Sequence, residues 1–195
     1  MRTKINHIEI LEGAHRCLLV HTDFYVDSFD IIKYEKTQDM EGHTEPILKV
    51  IVLEPSKMQR IPGAEKILDD PKVITCAHDN TIMLWDLAKM EVISKMEAPP
   101  HSEITCMTFL YNCCLVATGH EDGSIRLWNL EINTSVLLKC KEEDKHTNTI
   151  SCIMGYMYKE SEILIAGSYD GHISNWEISE KKSGNTGGMN STIFP

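Results

Sequence analysis

Three kinds of side chain recur in this sequence at spacings that could do chemistry. His43, Thr75 and Asp79 combine an imidazole, a hydroxyl and a carboxylate, and His101, Thr118 and Asp122 repeat the set. These are the groups of a base-activated hydroxyl nucleophile, in which an oriented imidazole takes the hydroxyl proton. A further set is incomplete: His146 and Asp170 are present, but Ala166 stands where the hydroxyl would fall and Ser168 lies two residues on. Each Asp is followed six residues later by a tryptophan, at Trp85, Trp128 and Trp176. A catalytic constellation is assembled once, in one cleft, whereas this one recurs along the chain with a large aromatic attached. A structural role fits better, because a buried indole or imidazole left without a partner costs roughly 1–3 kcal/mol.

Other site chemistry finds little footing. Cys140 and His146 have no second pair at a zinc spacing, and the adjacent Cys113 and Cys114 sit in an apolar run whose strand geometry would point them to opposite faces. The stretch Gly119 to Gly123 lacks the Lys-Ser/Thr of a phosphate-binding loop. No catalytic residue, cofactor or metal is expected.

The elements that must position these residues are hairpins. Leu115 to Leu130 reads LVATGHEDGSIRLWNL, two apolar runs joined at Asp122-Gly123. Asp-Gly between such runs predicts a tight type I′ hairpin, whose two central residues need positive φ. Thr75 to Leu87 and Ile165 to Ile178 repeat the layout, so the unit recurs every 43 to 48 residues. That period marks a blade-type repeat. A weaker copy is expected near the start, where Phe29 takes the tryptophan place, Asp23 stands six before it and Leu19 replaces the hydroxyl. Apolar packing is expected to replace the polar set there.

On these residues the chain resembles the WD-repeat family, strongly over about 42 to 178 and weakly over 5 to 31. The resemblance implies an all-β propeller segment of about four blades. It also implies that each His–hydroxyl–Asp–Trp set is a hydrogen-bonded chain from turn carboxylate to indole N–H. The expected division is a degenerate first blade at 1–41, three blades at 42–178 and a flexible polar tail at 179–195. Pro55 to Pro71 is a Pro-punctuated insertion with room for a short helix. The chain ends soon after a third strand, so one outer strand lacks a supplier. This suggests a segment of a longer protein, or a half that needs further blades.

Composition narrows the partners. The 195 residues carry a formal net charge of −10, which disfavours nucleic acid and anionic lipid as partners. No apolar run approaches a membrane span, and the first residues lack the apolar core of a secretory signal. Seven cysteines, an odd number mostly in apolar runs, read as reduced thiols in the cytoplasm. Similarity to acidic WD-repeat scaffolds of the cilium and axoneme would place the chain there. The function expected is a non-catalytic scaffold for protein–protein interaction in a larger assembly. The alternative is an enzyme or ligand-binding propeller that uses an axial cleft. The residues just before each turn Asp, namely Thr22, His78, Glu121 and Tyr169, are the expected partner-binding set.

Overall fold

A computed structural model describes residues 4–11, 15–53, 71–130, 132–138, 145–159, 161–178 and 191–194. Among these residues there is no helix. Sixteen strands form four antiparallel four-stranded meanders. The first is β1 (Ile5–Leu11), β2 (Arg16–His21), β3 (Val26–Asp30) and β4 (Glu35–Met40). The second is β5 (Ile47–Leu53), β6 (Lys72–Ala77), β7 (Thr81–Asp86) and β8 (Glu91–Glu97). The third is β9 (Ile104–Leu110), β10 (Leu115–His120), β11 (Ile125–Asn129) and β12 (Thr134–Leu137). The fourth is β13 (Ile150–Tyr158), β14 (Ser161–Ser168), β15 (Ile173–Ile178) and β16 (Ser191–Phe194).

The chain divides into two compact units, Met1–Ala98 and Pro99–Pro195, each holding two of these sheets. The middle strands are largely apolar because both faces are covered, and the polar residues buried in them must find partners. In β6, every residue from Val73 to Ala77 is buried, and in β10 every residue from Val116 to His120. The first unit's core joins Leu18, Val20 and Val26 to Val50, Val73 and Trp85. The second unit's core joins Leu110, Ala117 and Leu127 to Ile150, Leu164 and Trp176.

Two devices bind the sheets of the second unit. Glu162 is buried, and its carboxylate accepts the backbone N–H groups of Asn112 and Cys113 at 3.0 Å each, tying β14 to the turn between β9 and β10. Gly119 is the point of close approach, where a methyl group would stand 2.4 Å from a side-chain carbon of Ile150.

The first sheet is complete. Its register puts Phe29 opposite Cys17, as Trp85 faces Val73 and Trp128 faces Val116, so Phe29 does hold the tryptophan place. Its polar set is not replaced by apolar packing alone. His21 Nε2 meets Asp27 at 3.0 Å, and Lys36 bridges Asp27 and Asp39. These side chains are part-exposed, which lets charges persist without a dry network.

Two expectations are corrected. The hairpin turns are not type I′. The N–H groups of Asn80, Gly123 and Gly171 return to the carbonyls of Ala77, His120 and Ser168, and only the third loop residue has positive φ, at 60°, 79° and 86°. That is a type I turn followed by one left-handed residue. The Asp carboxylate selects it by accepting the N–H two residues on, at Thr81, Ser124 and His172. The expected tail also supplies structure: Ser191–Phe194 pairs with β15, so the fourth sheet has its outer strand. Thr192, Ile193 and Phe194 are the β-favouring residues of an otherwise polar stretch. The 55–70 part of the insertion, Cys140, and residues 179–190 lie outside the described residues.

Candidate functional site

In the second sheet the polar set is one continuous chain. Trp85 Nε1 donates to Thr75 Oγ1 at 2.8 Å. Thr75 Oγ1 lies 2.6 Å from His43 Nε2, and His43 Nδ1 lies 3.0 Å from Asp79 Oδ2. A carboxylate only accepts, so His43 carries its proton on Nδ1 and takes the threonine proton at Nε2. Asp79 is further held by the Thr44 N–H at 2.9 Å and the Thr81 hydroxyl at 2.7 Å. Burial pushes the Asp79 carboxyl up, but these donors and the imidazole outweigh it and hold the group below its usual range. Burial pushes His43 down, more than its carboxylate partner raises it, so the imidazole is neutral.

The third sheet reaches the same end differently. Trp128 Nε1 donates to Thr118 Oγ1 at 2.7 Å, but the next member is His120, whose Nε2 lies 2.8 Å from Thr118 Oγ1. His120 Nδ1 then donates to the Ser102 carbonyl at 2.9 Å. The expected member His101 is outside the network, exposed and at φ 65°. The reason is loop length. His43 and His146 stand four residues before Ile47 and Ile150, whereas His101 stands three before Ile104. That missing residue was the available sign, as was a histidine two residues after Thr118, on the same strand face. Asp122 keeps its turn role through the Ser124 N–H at 3.0 Å. Burial pushes Asp122 up, while the serine donors around it bring the net below the usual range. His120 is depressed by burial, against the opposing bond to Ser102.

The fourth sheet moves the hydroxyl across the ladder. Ala166 faces Ser174 in register, where Thr75 faces Met83. Ser174 Oγ lies 2.5 Å from His146 Nε2, and His146 Nδ1 lies 2.9 Å from Asp170 Oδ2. The imidazole is therefore satisfied. The Trp176 indole is not: its buried Nε1 finds no acceptor among the described residues. Asp170 also accepts the N–H groups of Thr147 and His172. Burial would raise it, yet those donors hold it far below the usual carboxylate range.

This is not a catalytic arrangement. Thr75 and Thr118 are fully buried, and each hydroxyl is spent between an indole and an imidazole. A nucleophile must meet its substrate. Among the described residues, no group of three or more His, Cys, Asp or Glu could hold a metal ion.

The four residues before the turn aspartates do share one environment. The N–H groups of Thr22, His78, Glu121 and Tyr169 donate to the carbonyls of Lys4, Pro46, Glu103 and Thr149 at 2.8–3.0 Å. Each is pinned through its backbone to the loop entering its own sheet, and each side chain is exposed, Tyr169 to 73%. In the second unit, Thr149 also bonds the Glu121 carbonyl through its hydroxyl at 3.2 Å, so Glu121 and Tyr169 belong to one surface. Gly123 permits this, because a side chain there would stand 2.5 Å from the His146 carbonyl.

Meandering four-stranded blades carrying an indole–hydroxyl–imidazole chain are the form that WD repeats take. The family profile described as "WD domain, G-beta repeat" matches residues 34–86 and 92–129, and the chain carries these repeats. It is similar to the WD repeat-containing protein 55 homologs of Drosophila simulans and Drosophila melanogaster, each 26% identical over 110 residues, 56% of this chain and 21% of the relative. The Drosophila willistoni homolog is 25% identical over 114 residues. The chain thus spans about a fifth of the length of these curated relatives. Among solved structures, the computationally designed Ika4 protein aligns at a TM-score of 0.65 and 20% identity, over 92% of this chain and 94% of that one. The designed Ika8 protein aligns at 0.65 and 20%, over 91% and 47%. These likenesses bear on the fold alone.

Two outcomes are expected. Thr118→Val keeps the shape but leaves the Trp128 N–H and the His120 Nε2 without partners. It should cost about 2–4 kcal/mol, read from urea denaturation, and an unchanged midpoint would refute the dry network. Stability should also fall on acidification. His43 and His120 resist protonation when folded, so the unfolded chain binds more protons below its histidine pKa of about 6.5. Asp79, Asp122 and Asp170, also depressed, extend the loss below about pH 4. A denaturation midpoint that is flat from pH 7.5 to pH 5 would contradict the histidine part.

Proposed function

We propose that this chain is a non-catalytic platform for protein–protein interaction within a larger assembly. WD repeats generally mediate such contacts, and the observation that carries the reading here is the set of turn residues. Their backbones are fixed by the sheet while their side chains are free of core duties. Rigid scaffolds that vary such loops are the common design for recognition. Tyr169 is the anchor, since an aromatic with one polar tip offers wide contact for little lost rotamer freedom. Glu121, held beside it through Thr149, sets an acidic rim, and Thr22 and His78 hold the equivalent places in the first unit.

Further blades of the same kind are the second partner in this proposal. On β13, Met154, Tyr156 and Tyr158 share one strand face and are 57%, 43% and 56% exposed. On the opposite face Gly155 is packed: a methyl group there would stand 2.6 Å from Leu110. An apolar face of this kind suits the covered side of a neighbouring blade, from a longer chain or a second copy. A cytoplasmic setting, the cilium included, belongs to the same proposal.

The triple variant His78→Ala, Glu121→Ala and Tyr169→Ala should melt like the parent yet lose about tenfold or more in affinity for partners recovered with the parent chain. Undiminished capture would remove this surface from the interface. The isolated chain should self-associate, and Tyr156→Lys with Tyr158→Lys should reduce that association in native mass measurements. A monodisperse, cooperatively melting monomer would count against the need for further blades.

A further inference from the structure

The place where the polar chain breaks adjoins a cavity. In the second unit, a space of about 370 Å³ is walled by Ile125, Leu137, Leu138 and Trp176. Arg126 and Lys145 also line it, with Asp122 from the turn. Two buried donors among the described residues have no acceptor, Trp176 Nε1 and Arg126 Nε, and both residues line this cavity, one from β15 and one from β11. His146 lines it too but is committed to Asp170 and Ser174. Native interiors rarely leave such donors unmatched unless something else supplies the acceptor. Leu137, 48% exposed, and the exposed Lys145 mark an opening to solvent.

The chemistry of the missing acceptor follows from the lining. Two cations and the Asp122 carboxylate leave one net positive charge, which matches a monoanion. The aliphatic and indole walls suit a short hydrocarbon body. The volume lies near the lower end of small-molecule sites, about 300–1,000 Å³. A phosphate dianion exceeds that charge balance, and its hydration is costly to strip. We propose that this cavity binds the carboxylate of a small, partly apolar acid, held by the Trp176 indole N–H and the Arg126 guanidinium. The acid is either a free molecule or the C-terminus of a peptide.

Position 166 makes the proposal testable. Ala166→Thr restores the hydroxyl that Thr75 and Thr118 offer their tryptophans, and so competes with the ligand from inside. The full chain, labelled with nitrogen-15, gives separate indole N–H resonances for its three tryptophans, and Trp176→Phe identifies the third. Hexanoate should shift the Trp176 resonance saturably and leave those of Trp85 and Trp128 in place. Hexanamide should bind about tenfold or more weakly, and Arg126→Gln should weaken hexanoate by a similar factor. Ala166→Thr should abolish the shift, and Ala166→Ser serves if the threonine variant does not melt cooperatively. A pentapeptide ending in leucine, as free acid and as amide, separates the two sources: whichever acid binds tighter names the source. The proposal is overturned if neither acid shifts Trp176, if hexanamide matches hexanoate, or if Arg126→Gln binds as the parent does.

Discussion

The constraint on which these blades depend is the indole N–H of a tryptophan placed where water cannot reach it. Trp85 and Trp128 are each at most 2% exposed. An indole supplies a large buried surface but brings one donor that must be matched. The match cannot come from the backbone, whose groups are engaged in the ladder. It comes from a threonine hydroxyl ten residues earlier on the neighbouring strand, 2.7–2.8 Å away. That hydroxyl then has a proton to place, which calls for an imidazole. The imidazole has its own proton to place, which calls for a carboxylate or a carbonyl. Each member therefore exists to satisfy the one before it, and the chain can stop only at a group that purely accepts.

Seen this way, the differences between sheets are alternative solutions to one requirement. The third sheet ends its chain on the Ser102 carbonyl and draws its imidazole from its own β10, so it needs no histidine in the entering loop. The fourth sheet keeps the entering histidine and the turn carboxylate but carries its hydroxyl on β15 instead of β14. The relocated serine reaches the imidazole and not the indole. Satisfaction of the histidine and of the tryptophan, inseparable while one threonine serves both, thus become separate in this blade. The first sheet, with Phe29, has no indole to satisfy, and its histidine and aspartate sit in part-exposed company with Lys36.

Much of this was legible in the sequence because the repeat is a spacing. The six-residue interval from Asp to Trp fixed the hairpins, and the apolar runs located the inner strands. The second sheet's network was readable in full, since loop and strand lengths there match the family pattern. His101 has the residue type of a network member but stands one residue too close to the next strand to serve as one. Ser174 was invisible for another reason: which residues face each other across a ladder depends on register, and only the paired strands show that Ser174 lies opposite Ala166. The turn type is not legible from Asp-Gly alone, because the backbone starts the turn one residue earlier, making Asp122 its second central residue and letting its carboxylate cap the N–H two residues on. The strand at Ser191–Phe194 is hidden by its polar, glycine-rich approach, a composition that says little about the three β-favouring residues Thr192, Ile193 and Phe194.

The turn aspartate ties the stability of each hairpin to the placement of the exposed residue before it. In the second and fourth sheets its two oxygens serve different masters: one caps the N–H groups of its own turn, the other accepts from the histidine and from the backbone of the entering loop. Turn and loop are thereby locked together, and the residue between strand and aspartate is held through its backbone. Its side chain contributes nothing to the lock. Threonine, histidine, glutamate and tyrosine occupy this position in the four sheets, and no shared chemistry links them. A position whose backbone is fixed by neighbours and whose side chain is exposed can change that side chain at little cost to the fold. In such a scaffold, burial obliges each network residue to find a partner, by whichever route its sheet offers, and leaves the exposed neighbours free of that demand.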